Sequence, residues 1–531
     1  MVRLKYSFWL AIVIIFATAP NCPGDRMGDA VDFDTQIIPI LTRYGCNSGA
    51  CHGAAIGRGG FQLSLFGSRS TNDHLAIARE LEGRRLNLHD PDASLMLLKA
   101  TESVEHGGGV RFDSDSSAYE VLRSWISSGA KRNQSRRLTA VKVSPKSVLL
   151  DDVNESIAVT VVAKFDDGTE VDVTPMTVLS SDDPESVSID KETHQLTVLR
   201  RGEHLVIARF LDQVQPIRIG VPIGTTDVGE SVGVGSRGVA EGWIDVLIDN
   251  KLRELRIPAS PPADDEEFAR RVWLDLAGRL PTTTEWRSYR DDTEDDKRVR
   301  LIDRLLETSD FANYWALKWA NTLAIDSKSL QSEGAEAYHA WLAEQFRNDT
   351  PWNQSAMEML TAEGDSYVNG PANFSRTGNG PDGIAESATR IFMGVRLRCA
   401  NCHDHPLDHW SQDDYHGLAA VFAKLKRGRV VGVAQRGEVT HPVTGQPAIP
   451  RIPGTRDLGA DADGRLEFAN WVTAPSNPYF ARAAVNRIWG HLMGRGIIDP
   501  VDDIRATNPA SHPQLIDSLA QRFSDNGFRF K

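Results

Sequence analysis

The stretch Cys399-Ala400-Asn401-Cys402-His403 places two thiols three positions apart and an imidazole directly after them. Two thiols at this spacing can form thioethers with the two vinyl groups of one haem, and the adjacent imidazole can bind its iron. A wider run of the same kind lies upstream, at Cys46-Asn47-Ser48-Gly49-Ala50-Cys51-His52. Four of the five cysteines belong to these two runs. The sequence therefore predicts two covalently bound haems, with His52 and His403 as proximal iron ligands.

Two other chemistries remain open for these cysteines. Either pair could form a disulfide, and the four small or polar residues inside the upstream run (46–52) would let its loop close. The downstream run (399–403) could instead hold zinc, because His403, His405 and His409 crowd one loop. Zinc takes four nitrogen or sulfur ligands in structural sites. His405 is a metal ligand only in this zinc interpretation.

A haem iron also takes a sixth ligand or keeps an open face. For the upstream run the candidates are Met96 and His106, and His106 is preferred because the glycines that follow it allow close backbone approach. For the downstream run the candidates are His441 and His491. His405 is too close in sequence to His403 to cross to the other face of the ring.

Composition limits the partners and the number of domains. The 531 residues are too many for one core and predict several domains. A net charge of -13 argues against nucleic acid or anionic lipid as a partner, because phosphate binding needs clustered lysine and arginine. We expect neither partner for this chain.

The N-terminus has the pattern of a secretory signal peptide. Arg3 and Lys5 precede an apolar run over residues 8–19, which is too short to span a membrane. We expect residues 1–30 to be a signal peptide and leader, the mature chain to have no transmembrane span, and the protein to be periplasmic or at the cell surface. Export would place the paired cysteines in an oxidising compartment.

Hydrophobic periodicity divides the remaining chain into segments. Helical spacing dominates at both ends, and period-two alternation such as Ile157-Val159-Val161 marks a β-sandwich between them. The prediction is a multidomain, mainly α protein with an inserted all-β sandwich. Its segments are a helical domain (31–133), the sandwich (139–222), a linker (223–240), a second helical domain (241–425) and a C-terminal segment (426–531).

Longer phrases in the helical segments resemble those of a family of exported planctomycete proteins. The first domain resembles the planctomycete cytochrome C-like domain through GCNSGACHG (45–53), FQLSLFG (61–67) and HGGG (106–109). The second helical domain is similar to a cytochrome-associated domain of unknown function through LDLAGRLP (274–281), YWALKW (314–319) and CANCHDHPLDHW (399–410). The resemblance implies a cytochrome c-like fold for residues 31–133 and implies no substrate.

Two further resemblances cover the rest of the chain. The C-terminal segment looks like the start of the partner domain of unknown function, through AVNRIWGH (484–491) and PVDD (500–503). That domain normally runs further, so the resemblance implies a truncated copy. The sandwich resembles bacterial immunoglobulin-like domains of group 2 through AKFDDGT (163–169) and GEHLVIAR (202–209). Such modules imply adhesion to glycans or surface proteins, or spacing.

These observations predict an exported c-type haem protein that transfers electrons to an unidentified redox partner. The opposing hypothesis is a haem-free scaffold at the cell surface whose cysteines form disulfides. An enzyme is less favoured, because the sequence shows no nucleophile and base, and no paired carboxylates, at a catalytic spacing.

Overall fold

The computed structural model describes residues 31–54, 56–133, 136–224, 242–459 and 462–531. The predicted signal peptide, Cys22 and most of the predicted linker lie outside these ranges. Helices account for roughly 44% of the chain and strands for 15%. The protein is therefore a mixed multidomain fold in which helix predominates.

The first helical domain packs around Phe33, Leu122 and Trp125, which are all buried. A π-helical turn over Phe33–Ile37 runs directly into its first α-helix. The α-helices of this domain are Ile38–Arg43, Ser70–Ala78, Leu95–Ala100 and Ser117–Ser127.

The start of the last of these helices differs from expectation by one residue. The sequence suggests Ser117 as its N-cap with Glu120 as partner, but Ser116 is the cap and accepts a 3.3 Å hydrogen bond from the Tyr119 amide. Ser116 has an extended backbone (φ -76°, ψ 152°), which an N-cap requires, whereas Ser117 is already helical.

The predicted β region is a sandwich-like domain over residues 138–221. Its strands are β1 Leu138–Ser144, β2 Ser147–Leu149, β3 Ser156–Ala158, β4 Thr160–Phe165, β5 Glu170–Asp172, β6 Val178–Ser181, β7 Val187–Ile189, β8 Gln195–Val198, β9 Gly202–Phe210 and β10 Gln213–Val221. They form three sheets with the orders β1-β4-β5, β2-β10-β9-β6 and β3-β8-β7. Pairing is antiparallel except between β2 and β10.

Alternation along the strands builds the core of this domain. In β4, Val161, Ala163 and Phe165 are buried while Thr160 and Lys164 are exposed, as a half-buried strand requires. Burial of side chains from all three sheets in one cluster makes the region a single packed unit.

The remaining chain is mostly helical. Its α-helices are Trp243–Glu254, Asp265–Ala277, Thr283–Arg290, Lys297–Leu306, Ser309–Thr322, Ser327–Arg347, Trp352–Thr361, Phe374–Thr377, Gly380–Ala388, Gln412–Val421, Gly464–Thr473, Phe480–Met493 and Pro513–Asp525. Residues 426–460, which the sequence suggests are irregular, contain short antiparallel pairings. Leu425–Arg427 pairs with Val430–Val433, and Arg451–Ile452 pairs with Arg456–Asp457.

The helices on both sides of residue 426 share one hydrophobic core. Trp319 and Phe392 lie in the same buried cluster as Phe480 and Phe528. Phe392 and Phe480 stack with ring centroids 6.4 Å apart. The C-terminal segment is thus packed into the second helical domain.

Among the residues that the structure describes, no helix is both long enough and apolar enough to cross a membrane.

Candidate functional site

The upstream run forms a compact loop directly after the helix Ile38–Arg43. The Cys46 amide donates to the Leu41 carbonyl at 2.8 Å, and the His52 amide donates back to the Cys46 carbonyl at 3.0 Å. The loop closes at Gly53, where a Cβ atom would lie only 2.1 Å from the Asn47 carbonyl oxygen. These bonds place Cys46, Cys51 and His52 around one short turn although four residues separate the thiols.

The two thiols of this run are free and lie beside one cation. Arg111 Nη2 donates to Cys51 Sγ at 3.6 Å and also to the Gly108 carbonyl. Burial raises the pKa of Cys46 to about 11, and the positive charge of Arg111 opposes that rise. The charge of Arg111 is therefore the largest contribution that lowers the pKa of Cys46, and burial outweighs it.

His52 and His106 form a pair on one side of this turn. Their ring centroids are 6.3 Å apart and their planes differ by 13°. His52 Nδ1 lies 3.0 Å from the Phe61 carbonyl oxygen, and His106 Nδ1 lies 3.0 Å from that of Gly109. A carbonyl at Nδ1 is the usual partner of a ligating imidazole, and His52 has a second backbone partner at Arg58. Burial lowers the pKa of His52 and so favours the neutral, ligating form.

The two imidazoles of this pair lie close enough together to share one ligand or metal ion. The glycines after His106 make its position possible, because a Cβ on Gly108 would lie 2.8 Å from His106 Cε1. His52 and His106, beside two free thiols, would therefore be able to hold a haem iron at this turn.

The competing candidate, Met96, lies elsewhere in the first domain. It belongs to the helix Leu95–Ala100, and its side chain packs against the hydrophobic core of that domain. The described contacts bring His106, rather than Met96, to His52.

The downstream run lies on the N-terminal end of the helix Gln412–Val421. The Asn401 carbonyl oxygen accepts from Gln412 Nε2 at 2.9 Å and lies 3.0 Å from His416 Nε2. Asp404 Oδ1 accepts from the Gln412 amide at 2.8 Å. A capping box at the start of this helix, between Ser411 and Asp414, orients these groups. Gln412 and His416 therefore contact the run at Asn401, which lies between its two cysteines.

Cys399 and Cys402 are free and exposed, which leaves both thiols accessible. His403 Nδ1 lies 2.8 Å from the Asp404 carbonyl oxygen, so Nε2 of His403 is left for a metal. This arrangement repeats that of His52. The residues at this run thus fit the proximal half of a haem site.

The other two histidines of the loop have different surroundings. His405 Nδ1 accepts from the Leu407 amide at 3.2 Å, and burial lowers the pKa of His405. His409 Nδ1 lies 2.8 Å from Asp408 Oδ1, and this hydrogen bond raises the pKa of His409. Within the described ranges, no group of three or more His, Cys, Asp or Glu side chains is placed to hold a metal ion. The zinc alternative therefore lacks an assembled ligand set there.

The two distal candidates for the downstream run differ in position. His441 lies against His416, with ring centroids 5.0 Å apart, and His416 in turn contacts the Asn401 carbonyl. His491 packs edge-on against Trp315 at 5.8 Å inside the helical core. His441 is thus separated from the run by the side chain of His416, whereas His491 packs in the helical core.

Sequence reasoning missed the residues that hold the runs in place. Arg111, Gln412 and His416 carry no motif, and only their contacts reveal them. The one available signal was the capping box at Ser411, which correctly predicts the helix on which the downstream run lies.

Comparison with known families identifies two parts of the chain. Residues 243–427 match the family model PSCyt2, described as a protein of unknown function (DUF1549). Residues 464–531 match the model PSD1, also described as a protein of unknown function (DUF1553). Both are cytochrome-associated domains of planctomycete proteins, as the resemblances for these segments indicate. A search of the curated proteins finds no match to this chain.

Proposed function

We propose that this chain is an exported c-type haem protein that carries electrons, with one haem at each cysteine run. The observation that carries the proposal is the His52–His106 pair, 6.3 Å apart and nearly parallel, next to two free thiols. The cytochrome-associated domains that cover residues 243–427 and 464–531 support it independently.

Each residue of the upstream run has a defined task in this proposal. The Cys46 and Cys51 thiols would hold the haem covalently, as thioethers to its two vinyl groups. Arg111, which donates to Cys51 Sγ at 3.6 Å, would orient the thiols beside the haem. His52 and His106 would supply the two iron ligands, each oriented by a backbone carbonyl.

The downstream run repeats the covalent part of this design. Cys399 and Cys402 form the thioethers and His403 is the proximal ligand, with its Nδ1 on the Asp404 carbonyl. When bound, haem supplies a one-electron iron couple whose potential depends on the axial ligands and on the exposure of the site. The exposed cysteines leave the edge of this second site open to an external redox partner.

The cellular setting of the proposal rests on the N-terminal sequence. Residues 1–30 direct export to the periplasm or the cell surface, where thioether attachment takes place. The sandwich over 138–221 is an immunoglobulin-like module of group 2, whose outer face can contact glycans or surface proteins.

Covalent haem staining tests the proposal directly. The full-length protein, matured in a host that attaches haem to a reference c-type cytochrome, is expected to show peroxidase activity in a denaturing gel, because thioethers survive unfolding. The paired variants Cys46→Ser/Cys51→Ser and Cys399→Ser/Cys402→Ser are each expected to lose half of the haem. A Leu317→Ala variant, which changes an exposed side chain away from both runs, is the control and keeps both.

The contrary result is a colourless protein from a host in which the reference cytochrome is matured. That outcome would favour the opposing hypothesis of a haem-free scaffold at the cell surface. If free-thiol labelling of the unfolded protein then failed before reduction and succeeded after it, the cysteines would be disulfides.

A further inference from the structure

Two helices that are far apart in the chain meet through two pairs of side chains. Trp315 and Trp319 lie on one helix of the second helical domain, and Arg487 and His491 lie on one helix of the C-terminal segment. The Trp315 and His491 rings contact edge-on with centroids 5.8 Å apart, and the guanidinium carbon of Arg487 lies 5.8 Å from the Trp319 ring centroid. Residues four apart on a helix share one face. These four side chains therefore form one group, the Trp–Arg cluster, within a single turn of each helix.

Both halves of the Trp–Arg cluster come from phrases by which the chain resembles its families. The two tryptophans are in YWALKW (314–319), and the arginine and histidine are in AVNRIWGH (484–491). The first phrase lies in the segment that matches PSCyt2, and the second lies in the segment that matches PSD1. The cluster is thus built jointly by the two domains of unknown function, and it lies in neither cysteine run.

Three N–H donors of the cluster have no acceptor. Among the residues that the structure describes, Nε1 of Trp315, Nε1 of Trp319 and Nε of Arg487 are buried without a hydrogen-bond partner. The three residues are only 4%, 1% and 7% exposed. Buried donors in folded proteins are nearly always paired with protein, water or ligand, because an unpaired buried donor is costly. Unpaired donors that lie together in one cluster therefore indicate an acceptor between them.

Arg487 also brings a positive charge that no carboxylate meets directly. Burial lowers its pKa to about 10, so the guanidinium is still charged at neutral pH, and the charge of Asp502 opposes this lowering. Asp502 is itself bound by Arg396, whose Nη2 lies 2.6 Å from Asp502 Oδ1. Arg487 Nη2 donates to the Arg390 carbonyl at 3.2 Å, and Arg487 forms no ion pair with a described residue. A buried cation without an adjacent anion is destabilising.

The other charges beside the cluster are also positive. Burial lowers the pKa of His491, and the charges of Lys318 and Arg487 lower it further. Lys318 Nζ lies 5.1 Å from the centroid of the Tyr314 ring, on the helix that carries both tryptophans. These cations disfavour a proton on His491 and favour an anion beside it.

We propose that the Trp–Arg cluster binds one small oxyanion, either a carboxylate or an inorganic anion such as sulfate or phosphate. An oxyanion has several acceptor oxygens, so one ion can accept from both indoles and from Nε of Arg487 while its charge balances the guanidinium. A single water has too few acceptor sites for these donors and carries no charge. Because the donors come from both matched domains, the bound anion also fixes one domain against the other. This site does not depend on haem.

Calorimetric titration of the full-length protein tests the site. Dialysed protein is titrated with sodium sulfate, sodium phosphate and sodium acetate at matched ionic strength, and we expect saturable binding of about one anion per chain. Arg487→Gln and Trp315→Phe each remove a donor and should weaken binding roughly tenfold or more, as for a hydrogen bond to a charged group. Trp315→Phe keeps the guanidinium and serves if Arg487→Gln does not fold.

Arg482→Gln is the matched control for these variants. Arg482 lies on the same helix as Arg487, but its side chain is 41% exposed and it pairs with Asp517 at 2.7 Å. Because this cation already has a carboxylate partner at the surface, Arg482→Gln should bind the anion as the parent does.

Indole resonances locate the bound anion. In protein labelled with nitrogen-15 at its indoles, the signals of Trp315, Trp319 and Trp125 are assigned from the three Trp→Phe variants. The anion that binds should move the signals of Trp315 and Trp319. It should leave that of Trp125, whose Nε1 already donates to the Lys131 carbonyl at 2.9 Å.

The outcomes decide both the site and the class of anion. Saturable binding of acetate alone supports the site and identifies a carboxylate ligand, whereas binding of sulfate or phosphate supports it and identifies an inorganic or phosphoryl group. Absence of saturable binding by all three anions would overturn the proposal. So would binding that Arg487→Gln and Trp315→Phe leave unchanged, or that leaves the Trp315 and Trp319 signals in place. None of these results bears on haem binding.

Discussion

Gly108→Ala is expected to detach His106 from the upstream iron. A Cβ at position 108 would lie 2.8 Å from His106 Cε1, 3.2 Å from its Nε2 and 2.8 Å from Arg111 Nη2. Ordinary contacts between heavy atoms are about 3.5–4.0 Å, so the imidazole must move by roughly 0.5–1 Å. Metal–ligand distances tolerate only about 0.2 Å. The added methyl group is therefore large enough to break the bond between His106 and iron.

The size of the effect follows from the cost of overpacking. Inserting a methyl group into a filled site costs about 1–3 kcal/mol. If that cost falls on the ligated state, the ratio of six- to five-coordinate haem drops roughly 5- to 150-fold. In a Cys399→Ser/Cys402→Ser background, which keeps one haem, the ferric spectrum should shift toward high spin and the ferrous protein should bind carbon monoxide.

Gly107→Ala is the matched control for this prediction. A Cβ on the neighbouring glycine meets no atom within 4 Å, and its backbone is not left-handed. The spectrum of Gly107→Ala should therefore equal that of the parent. Identical spectra for Gly108→Ala, Gly107→Ala and the parent would refute the assignment of His106 as an axial ligand.

Three further outcomes follow from the same structure. In the one-haem background, His106→Ala should convert the haem to a high-spin, carbon monoxide-binding form, while Met96→Ala should leave its spectrum unchanged; the reverse pattern would assign Met96. Burial raises the pKa of Asp73 to about 6, above the 3.8 of the free side chain. The folded state therefore binds more protons between pH 4 and 6, so the free energy of unfolding should fall by about 3 kcal/mol as the pH rises through that window. Denaturant titrations at pH 4 and at pH 6 check this change in the free energy of unfolding. A carboxyl carbon resonance of Asp73 that titrates near pH 4 would contradict the raised pKa. Trp319→Ala should lower the unfolding free energy by about 3–5 kcal/mol, since Trp319 is only 1% exposed, and Leu317→Ala, 54% exposed, is the control.

The parts of the fold that depend on local sequence patterns could be predicted. The capping box of Thr282 and Glu285 starts the helix Thr283–Arg290, with the Thr282 amide donating to Glu285 Oε2 at 2.7 Å. Asp463 shows the limit of such reasoning. Its surroundings suggest a turn, but it caps the helix Gly464–Thr473, because Phe468 and Val472 of that helix are fully buried in the shared core. Burial in the shared core favours the helix that begins after Asp463, and the local sequence pattern does not reveal that burial.

The candidate sites divide in the same way. Cys399, Cys402 and His403 lie within five residues, so the predicted haem-attachment run is visible as a motif. The contact between Arg209 and Pro406 joins residues 197 positions apart, and no spacing rule anticipates it. The immunoglobulin-like type of the sandwich and the cytochrome c-like type of the first domain stay predictions from resemblance.

Peptide mass spectrometry of the matured protein tests the central claim most directly. The account predicts one haem bound through two thioethers on the peptide that contains Cys46 and Cys51, and one on the peptide that contains Cys399 and Cys402. Recovery of both peptides without haem, from a host that attaches haem to a reference cytochrome, would contradict it.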